Sequence, residues 1–300
     1  MSIQALERRP VSYRAYMQNR SADVAIKRNG FLEAGVDPRF LWPHVLSIRD
    51  SMKFITDNAA RQAHFPWYDL IRDIYGKKYT QEVGLKSTQP DDSENKFTFH
   101  FAPGMMKSLW ENNVPVLEYA LFFKALHELD QWSLDIALAV AEMYDKTNRR
   151  HDGGPKYPGS MVQKIKAGSR IIRVLRYRKK NDDAPDAKPH VDRSIFTVHA
   201  WSSHPGLKMF SSNGMCLPVN ETAHDSVAIF PGEKYAAVTR GLFGFGTPHG
   251  VRDERHTNGT RDEDRYAIVC FVHPVSLKQD AEWLLANRER IEEHEAILTL

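Results

Sequence analysis

The chain has 300 residues, 42% of them hydrophobic, and a formal net charge of +3. That is enough for one large domain with a real core, or two small ones, and the near balance of charge excludes the broad basic footprint of a nucleic-acid-binding protein. With no apolar leader core, no run near the ~20 apolar residues of a membrane span, and only Cys216 and Cys270, expected as buried free thiols, the sequence predicts a soluble cytoplasmic protein in a reducing compartment.

Residues 1 to 35 are polar and poorly patterned. Phe40 to Asn58 alternates at helical spacing and predicts a helix. The solvated stretch Asp91 to Asn95 precedes Lys96-Phe97-Thr98-Phe99-His100-Phe101, a short strand by alternation. Val114 to Lys146 is the strongest helical pattern, with Pro115 at its start, and it is broken by His151-Asp152-Gly153-Gly154-Pro155. From Arg170 the period switches to two. Strands are predicted at 170–177, 194–200, 215–219, 226–230, 235–239 and 265–273, and a terminal helix from Asp280 to Ile297. The order is helices, then a jelly roll or other β-sandwich, then a helix. A single domain over 1–300 is expected, with a largely helical part (1–165), a β core (166–275) and a C-terminal helical segment (276–300).

Chemistry concentrates in the β part. His190-Val191-Asp192 stands at the mouth of the apolar run Ile195 to Val198. In extended chain, residues i and i+2 share a face, so both side chains can reach one metal ion. About one or two such pairs are expected by chance in a chain of this composition, so the pair matters through what accompanies it. His249 offers a second imidazole downstream, and Arg265 opens an apolar strand. Two histidines and one carboxylate with open positions form the facial triad used by non-haem Fe(II) oxygenases. A guanidinium inside a strand is costly unless paired, so Arg265 is read as an exposed edge residue, as the partner of a nearby carboxylate such as Asp264, or as a clamp for a ligand's carboxylate. Gly241-x-x-Gly244-x-Gly246 is not a phosphate loop. It is expected to let backbone pass close to the metal. His199, nine residues after His190, is expected on the opposite face, packed or at the surface. His204 and His224 read as turn residues. No nucleophile elbow accompanies the Ser, His and Asp residues.

The ordered set resembles the isopenicillin N synthase-like branch of the Fe(II)/2-oxoglutarate-dependent dioxygenases. The residues that carry it are Arg173 to Tyr177 (Arg-x-x-x-Tyr), His190-Val191-Asp192, Ile195 to Val198, Gly206-Leu207, Thr239-Arg240-Gly241, His249-Gly250-Val251 and Arg265 to Phe271. They span residues 170 to 275. The resemblance implies a mostly β chain with a double-stranded β-helix core and flanking helices. It implies Fe(II) held by His190, Asp192 and His249, with 2-oxoglutarate as co-substrate, its far carboxylate held by Arg265 and Tyr177. Dioxygen would be consumed in hydroxylating, desaturating or cyclising a small molecule, with release of succinate and carbon dioxide. Asp192 argues against a halogenase.

Three positions depart from the family pattern. Ala267 stands where the family has a serine, Gly250 where it has arginine, and the gap from His249 to Arg265 is long. The gap leaves His256 as a rival distal ligand. His249 is preferred because Thr239-Arg240-Gly241 precedes it at nearly the family offset, while His256 sits in a polar hairpin-like loop. Ala267 keeps open a 2-oxoglutarate-independent oxidase of the same fold. A cupin-like metal-binding protein without turnover is the alternative from another class.

Overall fold

The structure is a computed structural model, and it describes residues 31–58, 84–87, 96–103, 120–148, 155–178, 187–210, 215–252, 263–275 and 277–296. In chain order the elements are β1 (Leu32–Gly35), α1 (Pro38–Asn58), β2 (Gly84–Ser87), β3 (Lys96–Phe101), α2 (Ala120–Thr147), α3 (Met161–Lys166), β4 (Ser169–Tyr177), β5 (Ala187–His190), β6 (Phe196–Ser202), β7 (Leu207–Phe210), β8 (Cys216–Pro218), β9 (Ser226–Pro231), α4 (Glu233–Thr239), β10 (His249–Val251), β11 (Arg265–His273), α5 (Lys278–Ala286) and α6 (Arg288–Ala296). Two antiparallel sheets result. The larger runs β1-β9-β6-β11-β4-β3-β2 and the smaller β5-β10-β7-β8.

Helices cover one face of the large sheet. Phe122, Phe123, Leu126, Leu129, Ile136, Ala137, Val140 and Tyr144 recur along α2 at three- and four-residue spacing and are all buried. With Leu41, Val45, Ile48, Met52 and Ile55 of α1 they join Tyr266, Ile268, Cys270 and Val272 of β11 in the main core. The alternate residues of β11, Ala267, Val269 and Phe271, cluster instead with Leu175 and Tyr177 of β4 on the opposite face. Asp130 of α2 is fully buried and takes the Arg170 guanidinium of β4 in two 2.8 Å hydrogen bonds, fixing helix to sheet. Asp280 of α5 binds Lys164 of α3 at 3.1 Å and Arg240 beyond α4 at 3.0 Å, which draws the C-terminal helices onto the body.

Several sequence expectations need correction. Residues 235–239 are helix, not strand. Tyr235 to Thr239 are all buried, so there was no alternation to read, while Gly232 before the helix and Gly241 after a left-handed Arg240 (φ 56°) are its start and stop. The terminal helix is two helices broken at Asn287. The part expected to be largely helical contributes β1, β2 and β3 to the large sheet. Cys216 is exposed, because β8 lies at the edge of the small sheet. Cys270 is buried, and burial pushes its thiol up to about 12. The predicted start of the long helix at Val114, and His256, lie outside the described residues.

Candidate metal centre

His190 ends β5 and His249 begins β10, and the two are paired residues across that antiparallel ladder. Directly opposed residues bring their side chains together, and the two imidazole centroids are 4.5 Å apart. Asp192 lies two residues past the end of β5, in the turn leading to β6. Its Oδ1 is 3.5 Å from His190 Nε2 and its Oδ2 is 3.4 Å from His249 Nε2. One ligand atom from each of the three residues lies within 4.8 Å of the others.

Both imidazoles are oriented alike. His190 Nδ1–H donates to the Lys188 carbonyl at 2.7 Å, and His249 Nδ1–H donates to the Thr247 carbonyl at 3.1 Å. A carbonyl can only accept, so in its neutral form each ring carries its proton on Nδ1 and turns the lone pair of Nε2 toward Asp192. Asp192 is buried, which by itself would raise its pKa. His249, then His190 and the Thr197 hydroxyl, outweigh burial and hold the carboxyl well below its ordinary range. Thr197 Oγ1 donates to Asp192 Oδ2 at 2.7 Å, with Ser194 Oγ 2.9 Å from Thr197 Oγ1. Burial lowers the pKa of His249, so its ring is neutral near pH 7. These are the protonation states a divalent metal requires.

Close backbone packing holds the turn. Glu233 N–H donates to the Asp192 carbonyl at 2.7 Å and Lys234 N–H to that of Ser194 at 3.1 Å, so the start of α4 grips it. A Cβ on Gly246 would sit 2.4 Å from Val191 Cγ1 and 2.7 Å from the Gly232 backbone carbon. The glycine-rich run therefore passes directly beneath the residue between His190 and Asp192. His190 is about half exposed, while Asp192 and His249 are buried, so the centre opens on the His190 side. It opens into a cleft of about 910 Å³. Leu284, Arg288 and Ile291 from the C-terminal helices line it, together with Arg173, Phe271 and His100 from the large sheet. Trp201 and Trp42 line a different cleft.

The structure brings Arg265 and Tyr177 together, with the guanidinium 5.3 Å from the ring centroid, on neighbouring strands. It also shows a partner that the sequence reading missed. Arg265 forms an ion pair with Glu221, and both side chains are essentially fully buried. Arg265 also donates to Ser202 Oγ at 2.8 Å and to the His204 carbonyl at 3.0 Å. Asp264, the neighbour weighed for this role, pairs instead with Arg176 at 2.7 Å. Glu221 sits in Pro218-Val219-Asn220-Glu221, where no motif marks it. His199 is on the same strand face as Thr197, two residues earlier, so it points inward rather than away from the centre. Counting alternation from His190 failed because β5 and β6 are separate strands. Burial lowers its pKa to about 4, and its Nε2 is 3.6 Å from Glu221 Oε2.

No family model and no curated protein matches the sequence. Solved structures do match in fold. A protein from Caulobacter crescentus described as of the 2OG-Fe(II) oxygenase family aligns with TM-score 0.61 and 16% identity, over 95% of this chain and 98% of its own. The fold is that of the 2-oxoglutarate–Fe(II) oxygenases. The Arabidopsis thaliana dioxygenase for auxin oxidation 1, in complex with 2-oxoglutarate, aligns with TM-score 0.58 and 14% identity, over 85% of this chain and 87% of that one. The protein JOX2, in complex with 2OG, Fe and JA, gives 0.57 and 15%, over 91% and 84%. Within this fold, His190, Asp192 and His249 bring two imidazoles and one carboxylate together. Among the described residues no helix is long and apolar enough to cross a membrane.

Proposed function

We propose that the chain is a non-haem Fe(II) oxygenase acting on a small molecule, its two sheets forming a double-stranded β-helix. The observation that carries this reading is the pair of Nδ1-anchored imidazoles facing one ionised, buried carboxylate at the floor of a cleft. The donor set suits Fe(II), which His190, Asp192 and His249 would hold. Bound there, iron supplies activation of dioxygen for oxidation of a substrate C–H bond. Thr197 keeps Asp192 aimed and ionised. Phe271, Ile171 and Leu284 give the cleft apolar surface that excludes water, and Arg173 and Arg288 offer cations to orient a polar substrate.

In the 2-oxoglutarate-dependent form of this chemistry, 2-oxoglutarate, dioxygen and substrate become succinate, carbon dioxide and hydroxylated product. Arg265 and Tyr177 would be its carboxylate anchor. Arg265, however, already has a buried carboxylate partner in Glu221, so the interior as it stands does not fit that second carboxylate. This favours keeping a second reading in view, an oxidase of the same fold that does not use 2-oxoglutarate. Succinate released in proportion to oxygen consumed supports the first reading, and oxygen uptake independent of added 2-oxo acid supports the second. A cupin-like protein would bind metal and consume no oxygen with any substrate.

The metal assignment is tested by anaerobic Fe(II) titration. His190→Ala, Asp192→Ala and His249→Ala should each lose most of the affinity while far-UV circular dichroism is unchanged, and His256→Ala should be mild. Loss in His256→Ala with retention in His249→Ala overturns the distal ligand.

A further inference from the structure

Glu221 stands where an incoming anion would be needed. Arg265 comes from β11 of the large sheet, and the same Glu221 carboxylate accepts the N–H of Leu207 from β7 of the small sheet. Side-chain exposure is 0% for Arg265 and 1% for Glu221, so the pair is sealed between the sheets. Ser202 lies opposite Ala267 in the ladder and supplies a hydroxyl to the guanidinium, on a neighbouring strand from the one where the family pattern has its serine. His199 closes the cluster, its Nε2 3.6 Å from Glu221 Oε2 and 3.2 Å from Ser202 Oγ. The guanidinium is thus charge-matched by its own chain, which also takes hydrogen bonds from its Nε and Nη2.

Resting on the oxygenase reading above, we infer that Glu221 is a built-in substitute for the far carboxylate of a dicarboxylic 2-oxo acid. It makes the interior cation site neutral and turns co-substrate choice from 2-oxoglutarate to a short 2-oxo monocarboxylate. A second carboxylate at one guanidinium would leave a net negative charge in a region closed to water, and uncompensated buried charge is strongly disfavoured. Expelling Glu221 would strand the Leu207 N–H and force the carboxylate through packed side chains. A monocarboxylate such as pyruvate keeps the 2-oxo-acid head and brings no second charge. The device is repulsion built against one ligand, which is how discrimination is commonly obtained.

The test is anaerobic binding to Fe(II)-loaded protein, read by the metal-to-ligand charge-transfer band with pyruvate and with 2-oxoglutarate, after Fe(II) binding has been measured separately. Failure to bind Fe(II) indicts the metal centre, not Glu221. For the wild type, binding of pyruvate at least tenfold tighter than 2-oxoglutarate is expected. Glu221→Ala should gain tenfold or more in 2-oxoglutarate binding, and at equal concentration 2-oxoglutarate should raise its melting temperature by more than pyruvate does, by refilling the vacated carboxylate position. Should Glu221→Ala fail to fold, Glu221→Gln, which retains hydrogen bonding to the guanidinium, is titrated in its place with the same direction expected. The double substitution Glu221→Leu/Arg265→Leu should lose the gain. Tighter binding of 2-oxoglutarate than of pyruvate by the wild type, or no gain in the Glu221 variants, overturns the inference.

Discussion

Removing the Thr197 hydroxyl isolates what orients the candidate metal carboxylate. Thr197→Val keeps the β-branched shape in a fully buried site on β6 and deletes only the donor that reaches Asp192 Oδ2 at 2.7 Å. A hydrogen bond to a charged group is worth about 1.5–3 kcal/mol, and loss of such an outer contact typically costs a metal site about 10- to 100-fold in affinity. Ser194 Oγ, 2.9 Å from the lost hydroxyl, keeps a donor nearby, so the lower half of that range is expected, and Ser194→Ala/Thr197→Val should reach the upper half. The assay is anaerobic competition for Fe(II) or Co(II) against a chromophoric chelator at fixed pH. Affinity within twofold of wild type in the double variant, with an unchanged circular dichroism spectrum, would refute the claim that this hydroxyl prepares Asp192 for metal.

Gly246→Ala should weaken metal binding and cost about 1–3 kcal/mol of stability, because its Cβ would overlap Val191 and the Gly232 backbone; equilibrium urea unfolding and Fe(II) titration together check it. Asp130→Ala should destabilise the apo protein by about 3–5 kcal/mol by leaving the Arg170 guanidinium unmatched against α2, and a urea midpoint equal to wild type would contradict this. His199 has a folded pKa of about 4 against 6.5 for the free imidazole. The unfolded chain therefore binds more protons between those values, so its contribution is complete above pH 6.5 and is lost as pH falls toward 4. At about 1.4 kcal/mol per pH unit the loss is about 3 kcal/mol. His199→Gln should flatten the stability–pH curve in that window, though not abolish it, since His273 is also pushed down to about 4.

Long elements were legible because burial alternates along them. β4, β11 and α1 fall within two residues of their expected limits, each having one face on the helical core and one elsewhere. Four-residue β1 and β7 and three-residue β10 carry too few residues for a period, and each exists because a neighbour supplies its hydrogen bonds. The spacing of His190 and Asp192 proposed one shared face of a strand. The structure instead brings them together through a strand end and a turn held by α4. Glu221 was illegible because its meaning is purely tertiary. A lone glutamate after Pro-Val-Asn becomes the counter-ion of an arginine 44 residues away only once β8, β9 and β11 are in place.

The cross-ladder pairing of His190 with His249 has a mechanical consequence. Both histidines belong to the small sheet, while Asp192 is tied through Thr197 to the large one. An ion shared by the three would act as a rivet between the two layers, so occupancy and docking of the sheets become one equilibrium. Each tenfold excess of metal over its dissociation constant then adds about 1.4 kcal/mol of resistance to unfolding. The apo chain should breathe first at the β5–β10 seam.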